Sequence, residues 1–475
     1  MPGTQLFAGL VELDEKFQPH PYLAKSWTAS EDGRTYTFRL VEGAVFHDGK
    51  PITSGDVAFS LKVVKENHPF GPAMFGSVER VETPDAQTVV IRLSKPHPAL
   101  LTAMSPLLLP VIPEHVYGTQ AIQSHPANSA PVGSGPFRFV ELKQGEHLIL
   151  ERNDKYFRPG LPYLDRIVFR FIKDPTTATL GIERGEIDYL PFAPVRVRDI
   201  VRLEGNSKVK VTRRGYEALG PTNYLEFNHR VAPLDDKRVR QAIAYSIDRD
   251  FIVKSLQVGL SKRLDGPFHH SSPFFDDSAL KKYPLDLERA NALLDEAGHK
   301  RGADGMRFSL TLDWLPDVHP DSQGTVAQYL RTQFKKVGID IQLRQSPDFP
   351  TWARRVSNWE HQLSMNAIWI YPDPVIGMHR AFLCSNQKKG VIWSNTEGYC
   401  NERVDALLQQ AASETNLQKR KALYSEVQKI LSEDLPFTWT NEEPLHTLYS
   451  ARIGNVPQSV WGPLQPMDKV YKSAN

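Results

Sequence analysis

The sequence predicts an α/β protein of two or three domains, on three observations. The chain has 475 residues, and a domain takes roughly 150. Stretches of period-two alternation take turns with stretches of helical period along the chain. Thirty-six prolines punctuate it, as the many short connections of a large mixed α/β protein require.

Bulk composition excludes several classes. At 40% hydrophobic and 24% charged residues, the chain is an ordinary globular protein. A net charge of +2 gives no basic surface for nucleic acid or anionic lipid. No apolar run approaches the roughly 20 residues that span a bilayer. Met1-Pro-Gly-Thr-Gln-Leu-Phe7 lacks the basic segment and apolar core of a signal peptide. The two cysteines, Cys384 and Cys400, form either one disulfide in an oxidising compartment or two buried thiols. No histidines stand near them at zinc-ligand spacing.

Taken in order, Tyr36–Leu40 alternates between two turns and is a strand. Thr53 and Asp56 resemble a capping box, and Val57, Leu61 and Val64 continue a helix over about 54–66. Val89–Leu93 is a strand. Residues 96–136, rich in Pro, Ser and Gly, are loops. Phe137–Leu142 and His147–Glu151 are strands joined at Gly145. Ile167–Ile172 is a strand; Asp174-Pro175 then starts a helix that stops near Gly185. Ile187–Leu190 returns as a strand, and this strand–helix–strand order predicts a parallel or mixed sheet here.

Tyr224–Asn228 is a strand. Asp235 caps a helix carrying Val239, Ala242, Ile243 and Ile247, and Asp248 caps the next. Leu287, Ala290, Leu294 and Ala297 mark a helix stopped by Gly298. Phe308–Leu312 is a strand. Val326, Leu330, Phe334 and Val337 mark a helix stopped by Gly338, and the strand Ile339–Leu343 follows. Asn366-Ala-Ile-Trp-Ile-Tyr-Pro-Asp-Pro374 reads as a buried strand end breaking into a loop. Its prolines stiffen that loop, and Trp369 and Tyr371 offer rigid faces suited to a ligand. Helices over about 401–413 and 417–433 precede Leu435–Trp439. The second half is thus its own α/β lobe.

The run Tyr22–Leu40 (Tyr-Leu-Ala-Lys-Ser-Trp-Thr-Ala-Ser-Glu-Asp-Gly-Arg-Thr-Tyr-Thr-Phe-Arg-Leu), followed by Phe46-His-Asp-Gly-Lys-Pro-Ile-Thr-Ser-Gly-Asp-Val-Ala-Phe-Ser60, resembles a known signature. It is similar to that of the solute-binding proteins of bacterial ABC importers of the peptide/nickel class, family 5. Val132-Gly-Ser-Gly-Pro-Phe137, Glu151-Arg-Asn-Asp-Lys-Tyr156, Leu180–Asp188, Val239–Arg249 and Tyr399–Asp405 extend the resemblance in family order over nearly the whole chain.

The resemblance implies an α/β, two-lobe periplasmic-binding-protein fold (type II, cluster C) with an extra subdomain in lobe one and a two-segment hinge. Lobe one is then residues 1–19, 131–223 and 446–475, with the extra subdomain over 20–130. Lobe two is 224–445, and the hinge crosses near Tyr224 and Leu445. It also implies an export signal and a first strand ahead of Leu6–Leu10, hence a periplasmic or membrane-anchored extracytoplasmic location. Peptide-binding members often bridge the region of Cys384 and Cys400, so a disulfide is expected there. Such a bond is worth roughly 3 kcal/mol on the loop-entropy model.

Mapped onto this sequence, the ligand cleft takes Trp369, Tyr371, Asp373, Trp393, Asn395, Tyr224 and Phe7. Each has a packing alternative: a strand end with a Pro turn for the first three, a polar–aromatic loop for Trp393 and Asn395, core for Tyr224 and Phe7. Trp352 and Arg355 read better as a helix with an apolar face and a solvated arginine, and Trp439 as core. His269-His270 invites a metal. Adjacent histidines face one ion only if the loop bends, and no carboxylate spacing supports them, so no metal and no cofactor are expected.

No nucleophile elbow, Walker A, dinucleotide fingerprint or His-Glu-x-x-His occurs, so no enzyme is expected. The expected function is an extracytoplasmic receptor. It captures a peptide or peptide-like solute and delivers it to an inner-membrane ABC permease with its ATPase. The alternatives are the same receptor for an opine, oligosaccharide, antibiotic-like conjugate or metal chelate, and more remotely a hydrolase or peptidase. A monomer with no nucleic-acid partner is expected. In peptide-binding members the loop usually reads Ala-Asp-Tyr-x-x-Pro, and that Asp holds the peptide's amino terminus. Aligned on Tyr371 and Pro374, that position is Ile370, so the amine anchor is missing and Asp373 lies three residues on.

Overall fold

The computed structural model describes residues 1–316 and 323–474. Lobe two is built on a five-stranded sheet. In spatial order its strands are Ile339–Leu343, Phe308–Trp314, Leu363–Trp369, Pro221–Phe227 and Phe437–Glu442. The first three run parallel, and Pro221–Phe227 is antiparallel to both of its neighbours.

Helices cover both faces, which is why Pro221–Phe227 is buried along its whole length. On one face Leu225, Phe227, Leu363 and Met365 pack beneath residues of the helices Lys237–Tyr245, Leu287–Glu296 and Gln323–Lys336. On the other, Tyr224, Ile368, Phe437 and Trp439 pack beneath Glu402–Ala411 and Leu417–Asp434. The helix stops read from sequence are present, with Gly298 at φ +87° and Gly338 at φ +83°. The cap of Lys237–Tyr245 is Asp236, whose carboxylate accepts the Arg238 amide, rather than Asp235.

Lobe one holds the strand–helix–strand order but not the predicted parallel pairing. Arg166–Arg170 closes an antiparallel sheet with Phe137–Lys143 and His147–Arg152. The helix Pro175–Arg184 is capped by Asp174 and ends at Gly185 as read. The returning strand is only Tyr189–Leu190, and it pairs antiparallel with Thr447–Ser450 of the C-terminal tail. That tail strand sits between Tyr189–Leu190 and Val209–Thr212. A partner more than 250 positions away thus replaced the local one, which no local periodicity reveals.

A four-stranded antiparallel sheet, Ala24–Ala29, Thr35–Leu40, Thr88–Leu93 and Val78–Asp85, carries the helix Ser54–Asn67. Asp56 accepts the Thr53 amide at 2.9 Å, the reciprocal half of the capping box. The core beneath this sheet is continuous with Leu10, Tyr216 and Trp461 and takes in Val375 and Ile376, which follow the Pro-stiffened loop of lobe two. Cys384 and Cys400 form a disulfide.

Candidate functional site

The loop after the strand Leu363–Trp369 lies across the seam between the lobes. The Ile370 amide donates to the Leu219 carbonyl at 3.0 Å. Trp369 and Tyr371 pack on the core that includes Leu10 and Phe75, while the side chain between them, Ile370, is buried with Tyr224, Phe268 and Met378 of lobe two. Alternation along an extended segment therefore places neighbouring side chains on opposite lobes.

Tyr371 meets Phe70 edge-on, with centroids 4.9 Å apart. The Arg380 guanidinium covers Phe70 at 4.6 Å. Arg380 donates to the carbonyls of Gly377 at 2.8 Å and Trp393 at 2.5 Å. No carboxylate pairs with it among the described residues, and burial pulls its pKa down to about 10. Tyr371 and Trp393 both sit in left-handed backbone at φ +55°. For a non-glycine residue that costs roughly 1–2 kcal/mol, so the surroundings hold each in place. The Trp393 indole N–H is buried and lacks a hydrogen-bond partner among the described residues.

Asp373 departs from the expectation of a ligand charge. Its two oxygens accept from Arg420 at 2.6 and 2.7 Å, and one also accepts the Val375 amide at 3.0 Å, capping the turn Pro374–Gly377. Burial pushes its carboxyl up, but Arg420 overrides this and holds it below the usual range. Its charge is satisfied inside the protein.

Asn395 is fully buried and braces the disulfide loop. Its side chain donates to the carbonyls of Leu383 and Tyr399 and accepts the Gly398 amide. Tyr224 is 2% exposed and stacks on Phe437 at 4.0 Å. Phe7 is half-buried against the cluster of Leu6 and Phe137. Trp439 is core, and Trp352 is fully buried. Arg355 is not the solvated arginine that the sequence suggests: it binds the buried Asp313, which Arg344 also grips at 2.6 Å. None of the named candidates lines the cavity formed by residues 213–221, 259–271 and 442–446.

A cavity of ≈370 Å³ opens where residues 213–221 and 442–446 meet residues 259–271. Glu217, Lys262, His269, His270, Glu442 and Pro444 line it. The sequence reading passed over the two histidines because no carboxylate stood nearby. Here the loop does bend, and Glu442, 172 positions away, accepts from both the amide and the ring of His270 at 2.7 Å. His269 Nε2 lies 3.3 Å from the same Glu442 oxygen.

Among the described residues no cluster of three His, Cys, Asp or Glu side chains is placed to hold a metal. His269 Nδ1 also lies 2.7 Å from Ser271 Oγ. The Ser271 amide donates to that same nitrogen at 3.1 Å, so Nδ1 is an acceptor and Nε2 carries the proton toward Glu442. Serine, histidine and carboxylate thus stand in series, an order not visible in the sequence. Burial lowers His269 to about 4, which makes it a poor base at neutral pH.

The family model for the middle region of bacterial extracellular solute-binding proteins, family 5, matches residues 18–389. A Brucella ovis protein assigned as an ABC transporter peptide-binding protein is 30% identical over 461 residues, covering 93% of this chain and 83% of that one. The oligopeptide-binding protein AppA of Bacillus subtilis is 27% identical, covering 92% of this chain and 80% of that one. Among solved structures, NikZ of Campylobacter jejuni in complex with Ni(L-His) superposes with a TM-score of 0.84 at 25% identity, over 98% of this chain and 91% of that one. The chain therefore belongs to family 5 of the bacterial extracellular solute-binding proteins, the solute receptors of ABC importers.

Proposed function

We propose that this receptor captures a peptide or peptide-like solute between its lobes, outside the cytoplasm, and hands it to an inner-membrane permease and its ATPase. Lobe one comprises 1–19, 131–223 and 446–475 with the subdomain 20–130, and lobe two comprises 224–445. The lobes turn about the crossings near Tyr224 and Leu445, as hinge closure requires only a few element-end residues.

The observation that carries this reading is the segment 369–371, whose successive side chains pack on lobe one, lobe two and lobe one in turn. Approach of the lobes sets where Trp369 and Tyr371 stand, so closure is itself the event that solute binding reports. The peptide class is supported by the names of the Brucella and Bacillus relatives. The unpartnered Trp393 N–H is the kind of donor that a peptide carbonyl satisfies. Position 370 offers an apolar, buried side chain, so a solute amine is not paired there. The weak base at His269 supports binding without chemistry.

A thermal-shift panel of di- to pentapeptides, oligosaccharides and opines tests the reading. Stabilisation by at least one peptide is expected. Stabilisation only by a sugar or an opine, or by nothing, overturns the peptide class.

A further inference from the structure

Glu442 is the carboxylate at the hinge cavity that the protein leaves half-used. It is 6% exposed, and its Oε1 accepts the His270 amide and ring and faces His269 Nε2. Its Oε2 takes no hydrogen bond from any described residue. Burial raises its carboxyl, but the hydrogen bonds from the His270 ring and amide hold it below the ordinary value, so it stays ionised. That oxygen is open to the cavity rather than sealed, so a donor that enters the cavity can reach it.

The neighbouring acids are engaged elsewhere. Glu443 accepts the Asn223 side chain, and Glu217, which is less buried than Glu442, accepts the Gly215 amide with one oxygen. The cations of the cavity do not neutralise Glu442 either. Arg213 is paired with Glu204, and Lys262, exposed on the same wall, has no acid within ion-pair distance among the described residues. His269 is neutral at physiological pH and does not repel a cation.

Position 370 adjoins this cavity. A Cβ on Gly220 would stand 2.5 Å from Ile370 Cγ1 and 3.3 Å from His269 Cβ, so only a glycine separates the two side chains. The wall at Ile370 is apolar, and the cavity beyond Gly220 presents the Glu442 carboxylate.

We infer that Glu442 holds a primary ammonium group of the solute in the hinge cavity, through a charge-assisted hydrogen bond to Oε2. The unpaired Lys262 then favours a zwitterion over a simple amine, since its own charge seeks an acid. The inference rests on the solute-receptor reading and adds to it where the amine goes. The cavity, at ≈370 Å³, is within the usual range of small-ligand sites.

Isothermal titration of the full chain with L-alanyl-L-alanine and with its N-acetyl form tests this, in the wild type and in Glu442→Gln. Wild type is expected to bind the free dipeptide about 10- to 100-fold more tightly than the acetylated one. In Glu442→Gln the two affinities become equal. Because Glu442 also receives the His270 amide, a melting curve of the variant checks that it folds. If it does not, a structure of the wild type with the dipeptide decides, with the ammonium expected against Glu442 Oε2.

Equal binding of both dipeptides by wild type, full preference retained in Glu442→Gln, or an ammonium seated elsewhere overturns the inference and leaves the peptide receptor standing. Binding of neither dipeptide also overturns it. The receptor reading then stands or falls on the longer peptides of the panel.

Discussion

Replacing Arg420 with methionine separates a structural Asp373 from a ligand-binding one. Both oxygens of Asp373 lie on Arg420, at 2.6 and 2.7 Å, and the two side chains are 7% and 5% exposed. Arg420→Met keeps the bulk of the side chain and leaves the carboxylate buried with only the Val375 amide as donor. Breaking a buried pair from one side costs about 3–5 kcal/mol. At about 2–4 °C per kcal/mol for a unit of 150–250 residues, this is a fall of roughly 6–20 °C in the melting of lobe two.

Asp373→Asn in the same background removes the stranded charge and should recover most of the loss. The single and double variants then form a cycle with a coupling of several kcal/mol. Differential scanning calorimetry with urea denaturation followed by tryptophan fluorescence reads both quantities. Asp373 has a depressed pKa, so its contribution is complete above the ordinary carboxylate value of 3.8 and is lost as pH falls through the folded value. The wild-type advantage over the double variant should shrink at acid pH. An Arg420→Met protein as stable as wild type would refute this reasoning and return Asp373 to the candidate ligands.

Further outcomes follow from the same structure. Cys384→Ser with Cys400→Ser, opening a bridge of sequence separation 16, should cost about 3 kcal/mol in urea denaturation. Glu397 is fully buried beside Glu226, with neither oxygen hydrogen-bonded among the described residues. Burial, then the Glu226 charge, raises its pKa well above 4.5. Its contribution to stability is therefore complete below pH 4.5 and is lost as pH rises through the folded value; Glu397→Gln should flatten that decline in a series of melts against pH. Ile370→Asp places an unpaired acid among Tyr224, Phe268 and Met378 and should destabilise by roughly 3 kcal/mol or more. A stable variant that binds peptide amines more tightly would show that the site at 370 is open after all.

Much of the fold was legible because it is written in local signals. Asp174-Pro175, Gly185, Gly298 and Gly338 each fix one backbone conformation, and the helices start or stop there. The failures lie where distant chain decides. Tyr189–Leu190 found its partner in the tail, and the cap moved from Asp235 to Asp236, a shift within the ordinary uncertainty of helix ends.

The candidate site was harder to read for the same reason. Trp369 and Tyr371 were visible as an aromatic, Pro-stiffened loop. The arginine that takes the Asp373 charge lies 47 residues downstream, and nothing near Asp373 in the sequence points to it. Glu442 and His269-His270 are likewise separate in sequence and joined only by the packing of the hinge. The one available signal was the pair Glu442-Glu443 at the end of the strand Phe437–Glu442, which is buried throughout, so a carboxylate there needs partners from elsewhere.

The central claim is that the chain retains a peptide-like solute and returns it unchanged. Equilibrium dialysis against a mixed library of di- to pentapeptides, with mass spectrometry of both compartments, measures retention and integrity together. Enrichment of intact peptides on the protein side is the predicted result. No enrichment of any peptide, or the appearance of cleavage fragments that the series Ser271, His269 and Glu442 would have to explain, would contradict it.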